Sequence, residues 1–348
     1  MRTLPFLIAC LIVGAIVFAG AMLTGNDYVF FAGYVVLQYI VLSTAWNILG
    51  GYCGYVNFGT GAFFALGAYS TVAIYQLVEN NQWPHVVPIP ALMLVGGIVS
   101  GIIGFGMGYL TLRLRGAFFA IATLALAVVL ETLVVNWDFV GGSRGAYIIR
   151  PETIAPFGTY IRYLFLIMML LAIGALVIAR LIERSRFGYG LATIRDDELA
   201  AEAAGVPTLR LKLIATTISG ALMGMAGASF PYYIGYLQPD STFALDYAVN
   251  SIAMPLIGGT STWIGPLIGT ILLGSLQQLI TVTISSAVNL LLVGVVLVAF
   301  VIVAPNGIIG LVHKYVGRKD GDFVGRRRPS LDAADVTAEP GPAPRTPT

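Results

Sequence analysis

Long apolar runs, separated by brief polar or glycine-rich punctuation, occupy most of this chain. Residues 4–23, 28–49, 58–78, 88–112, 117–137, 160–179 and 211–230 form such runs, each near the roughly 20 residues that an α-helix needs to cross a bilayer core. A shorter run follows at 244–258, then two more at 265–284 and 287–304. Backbone polar groups find no partner in lipid, so runs of this kind close their hydrogen bonds internally as helices. The pattern therefore predicts an all-α fold, a polytopic transmembrane helix bundle of about ten spans. From Lys314 the pattern stops, and Arg326-Arg327-Arg328-Pro329 leads into a stretch of Asp, Ala, Pro and Thr. Such a stretch has too little apolar surface to offset the entropy of ordering. The reading is a membrane domain over residues 1–313 and a disordered tail over 314–348.

Composition agrees with the pattern. Apolar residues make up 57% of the chain, charged residues 10%, and the mean hydropathy is +0.86; a soluble domain carries roughly 25% charged residues. The net charge of +2 is less informative than where the charges fall. Lysine and arginine concentrate in cytoplasmic loops. With the N-terminus inside, Arg2, Arg113, Arg115, Arg180, Arg184, Arg186, Arg195, Arg210 and Lys212 share the cytoplasmic side, against Arg144, Arg150 and Arg162 outside. An even number of spans then places both termini in the cytoplasm. The first run, Leu4 to Leu23, exceeds the about 7–15 apolar residues of a signal-peptide core and is expected to be a retained helix.

Catalytic chemistry is missing. No Gly-x-x-x-x-Gly-Lys-[Ser/Thr] occurs, and the only lysines are Lys212, Lys314 and Lys319, so the chain has no P-loop. Nucleophile elbows and His-Glu-x-x-His or Cys-x-x-Cys motifs are also absent. Cys10 and Cys53 offer neither a disulfide framework nor metal-ligand spacing, and His85 and His313 fall in loops. No catalytic, cofactor-binding or metal site is expected, and nothing points to nucleic acid. Glu131 reads as the only clear acid within a span, whereas ion-driven carriers place ionisable groups in their path. Neutral polar residues are better candidates for lining a path: Asn47, Asn57 and Thr60 in the first half, Asn250 and Ser251 in the second. Each equally suits an interhelical hydrogen bond.

A glycine-rich pattern occurs twice. Gly50-Gly-Tyr-Cys-Gly-Tyr-Val-Asn-Phe-Gly-Thr-Gly61 and Gly258-Gly-Thr-Ser-Thr-Trp-Ile-Gly-Pro-Leu-Ile-Gly269 both open on Gly-Gly, cross a polar bend with an aromatic, and enter a helix with small residues. The pair is what a weak internal repeat would leave. Interrupted apolar segments at corresponding positions of two halves point toward a solute path in transporters; two tight turns between packed helices are the alternative. Gly101, Gly104 and Gly108, like Gly220, Gly224, Gly227 and Ala228, are spaced to let helix backbones approach closely.

One polar stretch, from Arg180 to Lys212, has a plan of its own. At its centre stands Arg195-Asp196-Asp197-Glu198-Leu-Ala-Ala-Glu202-Ala203-Ala-Gly205-Val-Pro207. An aspartate caps the first turn, Asp197 and Glu198 complement the helix dipole, and alanines favour the helix. Gly205 and Pro207 end it. A helix of about two turns is marginal alone in water, so it is expected to be held by the bundle or by a partner. Ala200, Ala203 and Ala204 give it a smooth face suited to a groove. Arg184, Arg186, Arg195, Arg210 and Lys212 are placed to anchor its flanks to lipid headgroups.

The segment Ile194 to Val206, followed by Leu211-Lys-Leu-Ile-Ala215, resembles the cytoplasmic loop of LivM-type permeases of branched-chain amino-acid ABC importers. The two glycine-rich segments resemble that family's early and late signatures, and the likeness runs from about Tyr28 to Val312. One difference is Gly59-Thr60, where members often show Gly-His. The resemblance implies a permease subunit in a bacterial plasma (inner) membrane, without an ATPase site of its own. Its implied partners are a homologous second permease, ATP-binding cassette subunits and an extracytoplasmic substrate-binding protein. It implies that Arg195, Asp196, Asp197, Glu198, Glu202, Ala203 and Gly205 form the ATPase-coupling element. A permease for urea, another small amide or an organic acid remains an alternative, as does a facilitative channel that works without nucleotide.

Overall fold

Glycines, prolines and short side-chain caps decide where the apolar runs become helices. A computed structural model describes residues 3–79, 87–150, 153–154, 158–283, 294–295, 298 and 307–310. In chain order the helices are α1 (Thr3–Leu23), α2 (Asp27–Cys53), α3 (Thr60–Glu79), α4 (Ile89–Thr111), α5 (Ala117–Val135) and α6 (Tyr160–Glu183). They continue with α7 (Arg186–Asp196), α8 (Glu198–Ala203), α9 (Thr208–Ile234), α10 (Pro239–Thr242), α11 (Leu245–Gly258) and α12 (Ile264–Thr283). Among the described residues 8 helices, α1 to α6, α9 and α12, are long and apolar enough to cross a membrane. The architecture is an all-α polytopic bundle. Residues 294–295 and 298 apart, the run at 287–304 lies outside the described residues, as do the tail from Lys314 and both histidines.

Several ends differ from the apolar pattern for identifiable reasons. α2 continues through Gly50 and Gly51 to Cys53 and stops where Gly54 takes φ 81, its N–H bonding back to the carbonyls of Gly50 and Leu49. α6 runs on to Glu183, and α9 starts at Thr208, before its first apolar residue. α9 also continues through Pro231 to Ile234.

The bundle has two distinct ends. At one, α7 and α8 meet the C-terminal ends of α2, α4 and α6. At the other, Arg162 pairs with Asp27 at 2.9 Å, and Ala146–Tyr147 pairs antiparallel with Tyr236–Leu237. Between them, α3, α4 and α9 pack backbone against backbone. A Cβ at Gly67 would overlap the Gly224 carbonyl, one at Gly227 the Phe64 carbonyl, and one at Gly224 the Ser100 hydroxyl. Small residues thus set the seam, since in lipid close van der Waals contact replaces the hydrophobic drive. α1 and α5 are peripheral and expose Ile8, Ile12 and Ile16, and Phe118, Ile121 and Val128.

Two helices begin in the interior. After leaving α2 the chain turns inward, so that α3 starts with Thr60 fully buried and Phe63 lies against Gly104 and Gly220, the latter near the midpoint of α9. α11 starts at similar depth. Tyr247 stacks on Phe64 at 4.5 Å and lies 6.3 Å from Tyr39, at the midpoint of α2. The two starts meet: a Cβ on Gly61 would lie 3.1 Å from the carbonyl oxygens of Phe243 and Ala244. Non-helical backbone is tolerated at this depth where protein or a water-filled cavity surrounds it. The second half is interrupted before α11 as well as after it, and α11, too short to be one of the spans, carries an acid, Asp246, in its first turn.

The α3–α4–α9 seam yields a test. Gly224→Val should prevent recovery of folded protein in detergent, because the new side chain meets Ser100 and the Gly96 backbone. Gly106→Ala, facing open space, should leave the yield and melting temperature within error. Size-exclusion chromatography and thermal melting read both.

Candidate functional site

The polar stretch folds as two helices with a kink between them. Ser185 caps α7, its hydroxyl accepting from the Gly188 N–H at 3.1 Å. α7 ends because Asp197 adopts an extended conformation, φ −161, and its carboxylate accepts from the Ala200 N–H at 3.0 Å. The expected short helix is the 6-residue α8, capped by Asp197, and an 11-residue α7 that was not expected precedes it. At the far side of α8, the Val206 N–H returns to the Ala201 carbonyl at 3.0 Å while Gly205 takes φ 83, a left-handed stop that favours glycine. Ala201 is buried, and Leu199, Ala200, Ala203 and Ala204 are exposed. Asp196 is also exposed and pairs only with its neighbour Arg195, at 3.6 Å.

Glu198 points inward instead of serving the helix dipole alone. Its carboxylate receives the Lys212 ammonium at 2.6 Å and the Tyr55 hydroxyl. Lys212 is 2% exposed; it also donates to the Leu112 carbonyl at 3.1 Å and to the Tyr55 hydroxyl at 3.2 Å. The expectation that Lys212 anchors to lipid headgroups is therefore corrected: its stem is too deep, and its charge has a partner inside. Arg115 closes the cluster, 3.8 Å from Glu198 and 3.3 Å from Glu202, and Glu202 also accepts from the Thr208 hydroxyl at 2.8 Å. Burial works to raise the Glu198 pKa, but the hydrogen bonds from Lys212 and Tyr55 and the charges of Lys212 and Arg115 outweigh it and hold the carboxyl below its usual range. Burial, then the bond to Glu198, pushes the Tyr55 phenol up, so it remains a donor. One cluster thus ties α8 to α9, to the α2–α3 loop and to the α4–α5 loop.

A second set of contacts ties the same end to the other glycine-rich segment. Arg195 donates to the Gly51 carbonyl at 3.3 Å, so this arginine too is held by the bundle. A Cβ on Gly54 would lie 3.0 Å from its side chain. Glu183, at the end of α6, accepts from the Trp263 N–H at 2.7 Å and from the Tyr52 hydroxyl at 3.5 Å. Arg180 is buried, stacked 3.7 Å over Phe6 and 5.6 Å from Trp263. The two glycine-rich segments touch directly, since a Cβ on Gly51 would overlap the Thr260 carbonyl.

The five polar residues considered for a path are separated by the structure. Asn47 donates to the Thr262 carbonyl at 3.4 Å. Asn57 folds its own turn by accepting from the Gly59 N–H at 2.7 Å, and Ser251 bonds back to Tyr247. Asn250 accepts from Gln277 at 2.8 Å and donates to Tyr39 at 3.4 Å. Thr60 is fully buried with its hydroxyl unpartnered. A cavity of ≈ 890 Å³ between α1, α2, α6 and α12 is apolar, and none of the five lines it. No group of three or more His, Cys, Asp or Glu able to hold a metal ion occurs among the described residues.

A bundle of spans carrying a small-faced helix fastened to its interrupted helices is the setting for the comparison with known proteins. The family model described as branched-chain amino acid transport system / permease component matches residues 28–301. The chain belongs to this family. It is 27% identical to the high-affinity branched-chain amino acid transport system permease protein LivM of Salmonella typhimurium, over 83% of this chain and 72% of that protein. The Escherichia coli LivM is 26% identical over the same shares. A probable branched-chain amino acid transport permease protein LivH of Methanocaldococcus jannaschii is 26% identical over 86% of this chain and 93% of its own length. No solved structure matches the chain.

Three residues that hold α8, Lys212, Tyr55 and Arg115, are not apparent as a unit in the sequence. One signal was available: Lys212 is the only lysine before Lys314, at the very edge of the apolar run that begins at residue 211. The pair predicts an asymmetric mutational response. Lys212→Met alone leaves a buried carboxylate and should cost about 3–5 kcal/mol; Lys212→Met with Glu198→Gln should cost much less. Because the folded Glu198 pKa lies below its unfolded value, the pair's stabilisation is present at neutral pH. It is lost as pH falls below about 4.3 toward the lower folded value. Melting temperatures of the three proteins against pH check both statements.

Proposed function

We propose that this permease imports branched-chain amino acids as one of two homologous membrane subunits. ATP-binding cassette subunits dock on the exposed Leu199–Ala203–Ala204 face of α8 on the cytoplasmic side, and an extracytoplasmic binding protein delivers the cargo to the other end. Both termini lie in the cytoplasm of a bacterial inner-membrane protein in this reading. Hydrolysis belongs to the partner subunits, in keeping with a chain that has no P-loop. The observation that carries the proposal is the wiring of α8: a surface of small side chains is fastened through Glu198, Lys212, Tyr55 and Arg195 to the first helix break. Closure of the ATPases would move α8, and α8 would move the ends of α2, α3 and α9. A bistable rigid-body shift of packed helices is the ordinary means of such transmission.

Reconstituted into vesicles with its partners, the permease should take up leucine only with ATP and binding protein. Ala203→Trp, which places bulk on the docking face, should reduce uptake roughly tenfold or more, the effect of about 1.4 kcal/mol lost at an interface. Glu202→Gln should weaken coupling while the protein stays in the membrane. Uptake that proceeds without nucleotide, or coupling unchanged by both substitutions, contradicts the reading.

A further inference from the structure

Asp246 is out of place for a lipid-facing helix. It lies in the first turn of α11 and is exposed, next to Tyr247, whose ring stacks on Phe64 and lies near Tyr39 halfway along α2. The preceding carbonyls, of Phe243 and Ala244, face Gly61 3.1 Å from its Cβ position. These contacts put the carboxylate near the middle of the bundle's depth. Among the described residues it has no ion pair and no hydrogen bond. The arginines and lysines described lie at the two ends of the bundle, such as Lys212 and Arg195 at one and Arg150 and Arg162 at the other. A carboxylate exposed at that depth is costly against hydrocarbon, and intramembrane acids therefore face a partner or a water-filled path. The dipole of α11 favours the charge locally but gives it no counter-ion.

A second observation comes from α3. Two of its hydroxyls flank the same break and have no hydrogen-bond partner although buried: Thr60, 0% exposed, and Tyr69, 2% exposed. Thr60 precedes Gly61, and the Tyr69 ring stacks 6.2 Å from Phe243. Buried polar groups left unpaired call for an explanation, and two lie around this break.

We propose that the start of α11 is a solute-binding subsite of the translocation path, in which Asp246 receives an ammonium group. The proposal rests on the import of an amino acid and specifies which end of the zwitterion this chain reads. Selectivity between branched side chains is left to other surfaces; the subsite rejects analogues lacking the positive charge.

The complete reconstituted complex tests it. Asp246→Asn should lower leucine uptake by about tenfold or more, the order of a lost charge-assisted hydrogen bond, with basal ATP hydrolysis unchanged, and Asp246→Glu should restore most of it. In a chain with Cys10 and Cys53 replaced by serine, Asp246→Cys should react with a membrane-impermeant cationic methanethiosulfonate, and leucine should slow that reaction. Wild-type uptake by Asp246→Asn, or a cysteine at 246 that does not react, overturns the subsite and leaves the face to lipid or to a closed subunit contact. Failure of the unaltered complex to import leucine strikes the transport reading. That outcome overturns the subsite with it, whereas normal uptake by Asp246→Asn in an importing complex overturns the subsite alone.

Discussion

Lys212 and Glu198 lie side by side where the bundle meets α8, its handle, one almost wholly buried and the other nearly so. Removing two charges from water costs several kcal/mol per ion, about as much as their attraction returns unless further hydrogen bonds satisfy both groups. Here those bonds exist: the Leu112 carbonyl and the Tyr55 hydroxyl accept from the ammonium, Tyr55 donates to the carboxylate, and Arg115 adds an ion pair at 3.8 Å. Each bond comes from a different part of the chain, so satisfying the pair forces α8, α9 and two inter-helix loops into one arrangement. The same condition makes the joint stiff, since separating the ions would strand both.

The remainder of the architecture follows from what that joint holds. The α2–α3 loop carries Tyr55 at the surface end and then runs inward to Asn57 and Gly59, so α3 begins inside the bundle. Glycine is needed where backbone meets backbone, at Gly51 against Thr260 and at Gly67 against Gly224. The second half repeats the device with different residues: α11 starts inside, and its end returns to the Trp263 amide held by Glu183. A movement imposed on α8 therefore reaches two interrupted helices whose starts touch at Gly61. Interrupted helices at the midplane are where transporters place their sites, and the unpaired Asp246 lies there.

The helices were legible because bilayer thickness fixes run length, and the handle's ends were legible because Asp197 and Gly205 act through local backbone geometry. Glycine spacing likewise foretold the α4–α9 seam. What escaped depends on contacts distant in sequence. Lys212 flanks a span as a lipid anchor would, and only the fold brings it to Tyr55, 157 positions away. Asp246 was hidden by the apolar company of the run at 244–258, where the short length of the run was the clue to a half-helix. The polar path candidates were chosen by residue type, yet Asn57 and Ser251 bond to backbone, and Asn47 gives its amide N–H to a carbonyl while its own side-chain oxygen stays unpaired. Thr60 differs from them in having no partner at all.

The central claim is that the handle and the first helix break move as one body. Spin labels at Ala203 on α8 and at Val56 in the α2–α3 loop, with a reference label at Leu133 in α5, would measure it by double electron–electron resonance in the assembled transporter. The account predicts that the distance from 203 to 56 stays the same with and without ATP, while both change their distance to 133. A handle that shifts relative to residue 56 when ATP binds would contradict it.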